Sequence, residues 1–303
     1  LAVKRVLKWG AASSLTLALV VYGYASFLIA SGVTKAERKA QDDSPAAYGL
    51  QFQDVEFISR KGDVTLRGWF LPGQGNKPTV IFVHGISGKR SGDQALSLAA
   101  RLINKGFNVL LFDLRAHGDS DGDRISGGYF ERLDVLGAYD FLVQKGVPPD
   151  RIGLLGFSMG AGVSLLAAAE EPAIRAVVAD SPFADVSDLI VQETDRKTDI
   201  PKEIIPAFVP GAKLLAKLLY DIDVGALIPE DAVKRLPYPI LVIHGTADTR
   251  IPFEHGVRVY KAAHPESRIW LVDNVKHTDA FQDLPDQYVE KVVDYFESRF
   301  GTN

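Results

Sequence analysis

Three kinds of hydrophobic pattern run along the chain, and each predicts a different element. Residues 9–33 carry no charge, and most are Ala, Leu, Val, Ile, Phe or Tyr. As a helix this stretch reaches roughly 37 Å, enough to cross a bilayer core of about 30 Å. Past a polar stretch at 34–50, the pattern turns to alternation. Val55 and Phe57 interleave with Asp54 and Glu56, and VTLRGWFLP follows a Lys-Gly-Asp turn. That rhythm predicts an antiparallel hairpin over 54–60 and 64–71. The third pattern is a set of short, unbroken apolar runs at 79–83, 109–112, 152–155, 176–179, 240–243 and 269–272. Continuous runs suit strands buried on both faces of a mostly parallel sheet.

Helical segments are predicted between these runs, at 93–105, 129–144, 160–170, 254–263 and 287–299. The last shows a 3,4-spaced stripe of Val289, Val292, Val293 and Phe296. Strands alternating with helices imply an α/β fold: a mostly parallel, eight-stranded sheet with helices on both faces. One interval breaks the alternation. About sixty residues separate Asp180 from Pro239, too many for a structureless loop inside a compact domain. They read as a small helical cap, at about 186–236, over the edge of the sheet where open α/β sheets bind ligands. The cap is rich in apolar positions: Ile204, Ile205, Phe208, Val209, Leu214, Leu215, Leu218 and Leu219. They form either the cap's own core and its seam with the sheet, or an acyl-binding groove fed from a bilayer.

The resulting organisation is a transmembrane anchor at 9–33, a polar tether at 34–50 and a catalytic domain at 51–303 with the cap inserted. A cleaved signal peptide fits less well, because Leu28 would stand at −3 from a cleavage after Ala30 and the apolar run is long. Lys4, Arg5 and Lys8 before the span are matched by Lys35, Arg38 and Lys39 after it, so the positive-inside count is a tie. The expectation is a single-pass cell-membrane protein with its catalytic domain outside. A net charge of −4, with no basic run among aromatics, argues against nucleic acid. The absence of cysteine excludes disulfides, thiolate catalysis and cysteine-ligated zinc.

The chemistry concentrates in GFSMGAG at 156–162, which joins strand-like RIGLL to helix-forming VSLLAAAEE. Gly-x-Ser-x-Gly at a strand-to-helix junction makes a strained turn that lifts the Ser158 hydroxyl clear of the backbone. A hydroxyl needs a base to become a nucleophile. Of six histidines, His84 and His244 end strands in His-Gly pairs and suit structural use, with the ring bonding nearby backbone. His277 alone follows the last strand, in VKHTDAF, on a loop at the sheet's catalytic edge. Asp248 in HGTADTRIP is the expected carboxylate partner of that base, with Asp180 in VADSPF as the second choice. The backbone N–H groups of Ile86, in VHGISG, and Met159 are the expected oxyanion donors.

Taken together, YGLQFQDVEF, GDVTLRGWFLP, VIFVHG, FDLRAHGDSDG, GFSMGAG, DSPF, LVIHGTADTRIP and VKHTDAF stand in the order of a known family. The chain resembles the α/β-hydrolase superfamily from about Tyr48 to Phe300. Within it, it is similar to membrane-anchored bacterial hydrolases of the serine-aminopeptidase-like and prolyl-oligopeptidase-like branches. It departs at Ala116 and Lys276, where glycine is usual. The resemblance implies a serine esterase without metal or organic cofactor, acting on a small-molecule or lipid-like ester or acyl substrate. A peptidase or amidase, with Glu193 or Asp195 holding a substrate amine, would use the same triad. So would an acyltransferase. A catalytically dead scaffold would be expected to lack one triad member.

Overall fold

The computed structural model describes residues 2–74, 77–92 and 94–301. Asp93, predicted to open a helix, lies outside them, as do the side chains of Lys4, Arg5 and Lys8. The chain divides into two compact units. The smaller joins Leu1–Lys35 to Ser187–Ala226, and the larger joins Ala36–Val186 to Leu227–Asn303.

The larger unit is built on strands β1 (Gln53–Ile58), β2 (Thr65–Leu71), β3 (Thr79–Val83), β4 (Asn108–Phe112), β5 (Ile152–Phe157), β6 (Val177–Asp180), β7 (Leu241–Gly245) and β8 (Arg268–Val272). They form one eight-stranded sheet in the order β1-β2-β4-β3-β5-β6-β7-β8. The predicted hairpin is there: β1 and β2 pair antiparallel, and β2 pairs antiparallel with β4. From β4 across to β8 every pair is parallel. Every residue of β3, β5, β6 and β7 is buried. The run at 269–272 departs from the expected burial. As β8 it lies at the edge with β7 as its one neighbour, and Ile269, Trp270 and Leu271 all keep some exposure. The Lys291 ammonium lies 5.1 Å from the Trp270 ring centre, an amphipathic cover for an apolar edge.

Helices α2 (Ala95–Asn104), α3 (Glu131–Gln144), α4 (Met159–Glu170), α8 (Glu254–Ala262) and α10 (Pro285–Phe300) separate the strands, with one-turn helices α7 (Pro229–Ala232) and α9 (Ala280–Asp283). Two apolar cores result. One sets Val135, Leu142, Val163 and Leu165 against Ile81, Leu110 and Leu154; the other sets Leu98, Leu102, Val289, Val292 and Phe296 against Val80, Leu111 and Leu155. Alternate residues of β3, β4 and β5 serve the two cores, as the strand period requires. A buried ion pair ties α3 to the loop after β4. Arg115 holds Asp134 of α3 at 2.7 Å, both side chains almost fully inaccessible.

The segment predicted as a tether is not loose along its first half. Arg38 is cradled by the carbonyls of Gly118, Ser120 and Gly122, at 3.0, 2.6 and 2.5 Å. Gln41 donates to Asp113 at 3.0 Å.

In the smaller unit, α1 (Ala2–Val33) meets α5 (Ile190–Lys197) and α6 (Ile205–Tyr220). Residues Ser13–Val33 of α1 are long and apolar enough to cross a membrane. An added Cβ on Gly211 of α6 would lie 2.3 Å from the Ser26 hydroxyl and 2.8 Å from the Tyr22 ring. Only a residue without a side chain allows that approach. The Gly211 N–H donates to the Tyr22 hydroxyl at 3.2 Å, and the Tyr22 and Phe208 rings lie 5.4 Å apart. Of the eight apolar cap positions, Ile205 is buried, Phe208, Val209 and Leu215 are half-buried, and Ile204, Leu214, Leu218 and Leu219 are exposed. The exposed four do not form a core or seam.

Candidate active site

The three side chains predicted from separate parts of the chain meet in the larger unit. Ser158 caps α4 directly after β5, with φ 55° and ψ −119°. A non-glycine residue at positive φ is uncommon and marks a turn that its surroundings enforce. The flanking glycines are part of that enforcement. A Cβ on Gly160 would lie 2.0 Å from the Val83 carbonyl oxygen, and one on Gly156 would lie 2.3 Å from that of Gly160. Both positions are closed to any other residue without moving backbone.

The Ser158 hydroxyl donates to His277 Nε2 at 2.8 Å. His277 Nδ1–H donates to Asp248 Oδ2 at 2.6 Å. A carboxylate partner fixes the proton on Nδ1 and leaves Nε2 free to accept. The Asp248 side chain is inaccessible and that of His277 is 16% exposed, so the imidazole sits between a dry carboxylate and the outside. The other oxygen of Asp248 accepts the N–H groups of Arg250 and Ile251, each at 2.9 Å. Burial alone would raise the Asp248 carboxyl. Hydrogen bonds from His244, His277 and the Ile251 N–H outweigh it and hold the group well below the usual carboxylate range.

Asp180, the second choice for the acid, is placed elsewhere. It accepts the Ser181 and Tyr288 hydroxyls, each at 2.9 Å. Burial pushes it up to about 6 against those two hydrogen bonds. His84 does bond nearby backbone. Nδ1–H donates to Gly85 O at 2.8 Å, and Nε2 accepts the Leu114 N–H at 3.1 Å. Burial lowers His84. Burial and the adjacent His84 ring bring His117 down to about 4, so both rings are neutral at pH 7.

Those bonds shape the loop that carries Ile86. The Gly85 carbonyl is held by His84 and by the Gly88 N–H at 3.0 Å. In a trans peptide the following N–H points the opposite way, so the Ile86 N–H is turned from the His84 ring. A Cβ on Gly85 would stand 3.1 Å from Ser158 Cβ, so this loop presses against the serine. Met159 N–H opens α4, at the positive end of the helix.

One contact escaped the sequence reading of His244 as purely a backbone-bonding residue. Its Nε2–H donates to Ile251 O at 2.9 Å and also lies 3.2 Å from Asp248 Oδ2. Asp248 thus answers to two histidines. The i,i+4 spacing of His244 and Asp248 was visible, but the ring's direction was not. In the smaller unit, Glu193, one of two carboxylates suggested for binding a substrate amine, is ion-paired with Arg196 at 3.0 Å.

Comparisons with known proteins agree with this architecture. The alpha/beta hydrolase fold family model matches residues 78–220. The uncharacterized protein YfhR of Escherichia coli (strain K12) is 30% identical over 256 residues, covering 81% of each chain. Lysophosphatidylserine lipase ABHD12 of Danio rerio is 26% identical over 196 residues, 63% of this chain and 48% of that protein. Among solved structures, the esterase Pf2001 of Pyrococcus furiosus superposes with a TM-score of 0.70 at 26% identity, covering 88% of this chain and 98% of that one. Sheet order, the glycine-walled serine turn and these relatives converge: the chain belongs to the α/β-hydrolase superfamily.

Proposed function

We propose that this hydrolase cleaves carboxylic esters through an acyl-serine intermediate. The observation that carries the reading is the unbroken line Ser158 Oγ, His277, Asp248, at 2.8 and 2.6 Å. In this mechanism His277 takes the Ser158 proton as the oxygen attacks the ester carbonyl. Asp248 keeps the imidazole oriented and balances the charge it gains. The N–H groups of Ile86 and Met159 receive the developing oxyanion, each worth about 3 kcal/mol. His277 then passes its proton to the leaving alcohol. Water, deprotonated by the same imidazole, attacks the acyl-serine and releases the acid, restoring the Ser158 hydroxyl.

The esterase and lipase relatives support ester over amide chemistry, and the lipase name supports an apolar acyl chain in the substrate. We read α1 as a retained single-span membrane anchor. Its packing against α6 supports this, because a leader removed on export would take that interface with it. A fluorophosphonate probe tests the nucleophile, with labelling expected for the native chain and none for Ser158→Ala. A panel of p-nitrophenyl esters and aminoacyl arylamides tests the class. Faster turnover of octanoate than acetate, with arylamides inert, is expected. Arylamides cleaved faster than esters would overturn the ester assignment.

A further inference from the structure

α6 has two unlike faces. One is given to the rest of its unit: Ala212 and Ala216 are buried, and Gly211 and Phe208 lie against Tyr22 and Ser26 of α1. Even the Ser26 hydroxyl is satisfied across this seam, donating to the Phe208 carbonyl at 3.3 Å. The other face carries Ala207, Pro210, Leu214 and Leu218, continued by Ile204 at the N-cap, spaced by three or four residues, and all five are exposed. Leu214 is 58% and Leu218 69% exposed. Of the two charges of the helix, Lys213 lies off this stripe and Lys217 borders it, with a long apolar stem below its ammonium. Lys213 Nζ reaches the Ser187 hydroxyl at 2.7 Å, and Lys217 Nζ reaches Asp223 at 2.8 Å. A contiguous apolar strip of this kind marks a surface that meets something other than water.

The position of α6 along α1 identifies what it meets. A bilayer core takes about 20 helical residues. The uncharged part of α1 begins after Lys8. Any placement that keeps Lys8 among the headgroups therefore carries Tyr22 and Ser26 within the span. Those two residues are the ones that touch Phe208 and Gly211. A helix seated on that stretch of the span shares its surroundings. The seam has the character of helix pairs in lipid, with small residues in close approach and a hydroxyl bonded across to a carbonyl.

We propose that α6 is a second lipid-facing helix, entering the apolar layer of the same phospholipid bilayer that α1 crosses. At 16 residues it reaches about 24 Å, short of a full crossing, so it embeds without spanning. The proposal rests on the reading of α1 as a membrane span.

The test exploits a chain without cysteine. Leu214→Cys and Leu218→Cys, with Leu17→Cys in α1 and Ile58→Cys on β1 as references, each receive the environment-sensitive dye NBD. The full-length chain is reconstituted in phosphatidylcholine–phosphatidylglycerol vesicles with or without doxyl-labelled lipid. Retained ester hydrolysis checks the fold of each variant. Blue-shifted emission at 214 and 218, quenched by doxyl lipid as strongly as at 17 and several-fold more than at 58, is expected. Quenching at 17 but not at 214 and 218 overturns the proposal and leaves the anchor standing. Blue-shifted but unquenched dye at 214 and 218 also overturns it, since a second protein surface would then cover the strip. Quenching at 214 and 218 without quenching at 17 removes the anchor and overturns the proposal with it, since α6 would then meet a bilayer that α1 does not cross. No quenching at any of the three overturns both.

Discussion

The two units put large apolar side chains to opposite uses. In the larger unit, among the described residues, only Tyr48, Ile58 and Leu271 are large, apolar and exposed. In the smaller unit α1 alone exposes Leu15, Leu17, Leu19, Val20, Val21 and Tyr24, and α6 adds Leu214, Leu218 and Leu219. The larger unit is what water makes of a sequence: apolar runs folded inward on both faces of a sheet, with charges such as Arg115 and Asp134 paired where they are buried. The smaller unit brings Gly211 against Ser26 at its helix seam and turns much of its leucine out. What differs is where the large apolar side chains face: inward in the larger unit, outward along much of α1 and α6.

The sharpest way to separate them is through chemistry. Ser158→Ala should lower kcat by at least ~10⁴-fold, because the serine and its base act as a unit. Vesicle binding should be unchanged. Esterase assays beside flotation on a lipid gradient would read both, and a loss of flotation would break the division of labour.

Next in size is the buried ion pair of the larger unit. Arg115→Ala strands Asp134, and a lone buried charge of this kind costs about 3–5 kcal/mol. Urea unfolding in detergent should show that loss, and the double variant Arg115→Met with Asp134→Asn should recover much of it. An equal loss in the double variant would mean that Arg115 acts through packing.

A smaller effect concerns Asp180. Its carboxyl is raised to about 6 by burial, so the folded state holds the proton more tightly than the unfolded chain does. The stability this gives is complete below about pH 4 and disappears as pH climbs through about 6. Asp180→Asn cannot ionise. Measured from pH 4 to pH 7, its stability relative to the native chain should rise by up to about 3 kcal/mol. A flat difference across that range would show that Tyr288 and Ser181 already suit the ionised form. Asp248 works in the other sense. Its carboxyl is depressed, so it stabilises the fold at neutral pH and loses that role only in strong acid.

Smallest of all should be the thermodynamic effect of charging the smaller unit's outer face. Leu214→Lys with Leu218→Lys removes exposed leucines, so unfolding of the larger unit should shift by no more than about 0.5 kcal/mol. Carbonate should still leave the chain in the vesicles, held by α1, and release of the double variant would show that α6 carries the attachment. A large loss of stability would show that these leucines support the fold.

Much of the larger unit was readable because its strands are central. The run at 79–83 matches β3 to the residue, since five consecutive buried positions leave no freedom of pattern. The run at 269–272 has the pattern of a doubly buried strand, yet strand order decides which strand is an edge, and order is a property of the whole sheet. His277 was legible from its place after the last strand. The second contact of His244 was not, because it depends on which way a ring turns. The α1–α6 seam was hidden for a related reason. Gly211 and Ser26 look like weak helix residues until a partner lies against them.

The backbone of Ser158, at φ 55°, restricts which residues could ever take its place. Threonine carries the same hydroxyl, yet a β-branched residue is the least tolerant of that region. Cysteine adds no branch at Cβ and would fit. Ser158→Cys should therefore keep the fold and move the site toward thiol chemistry, whereas Ser158→Thr should lose both acylation and turn. The tight elbow excludes one alcohol while remaining open to a change of element.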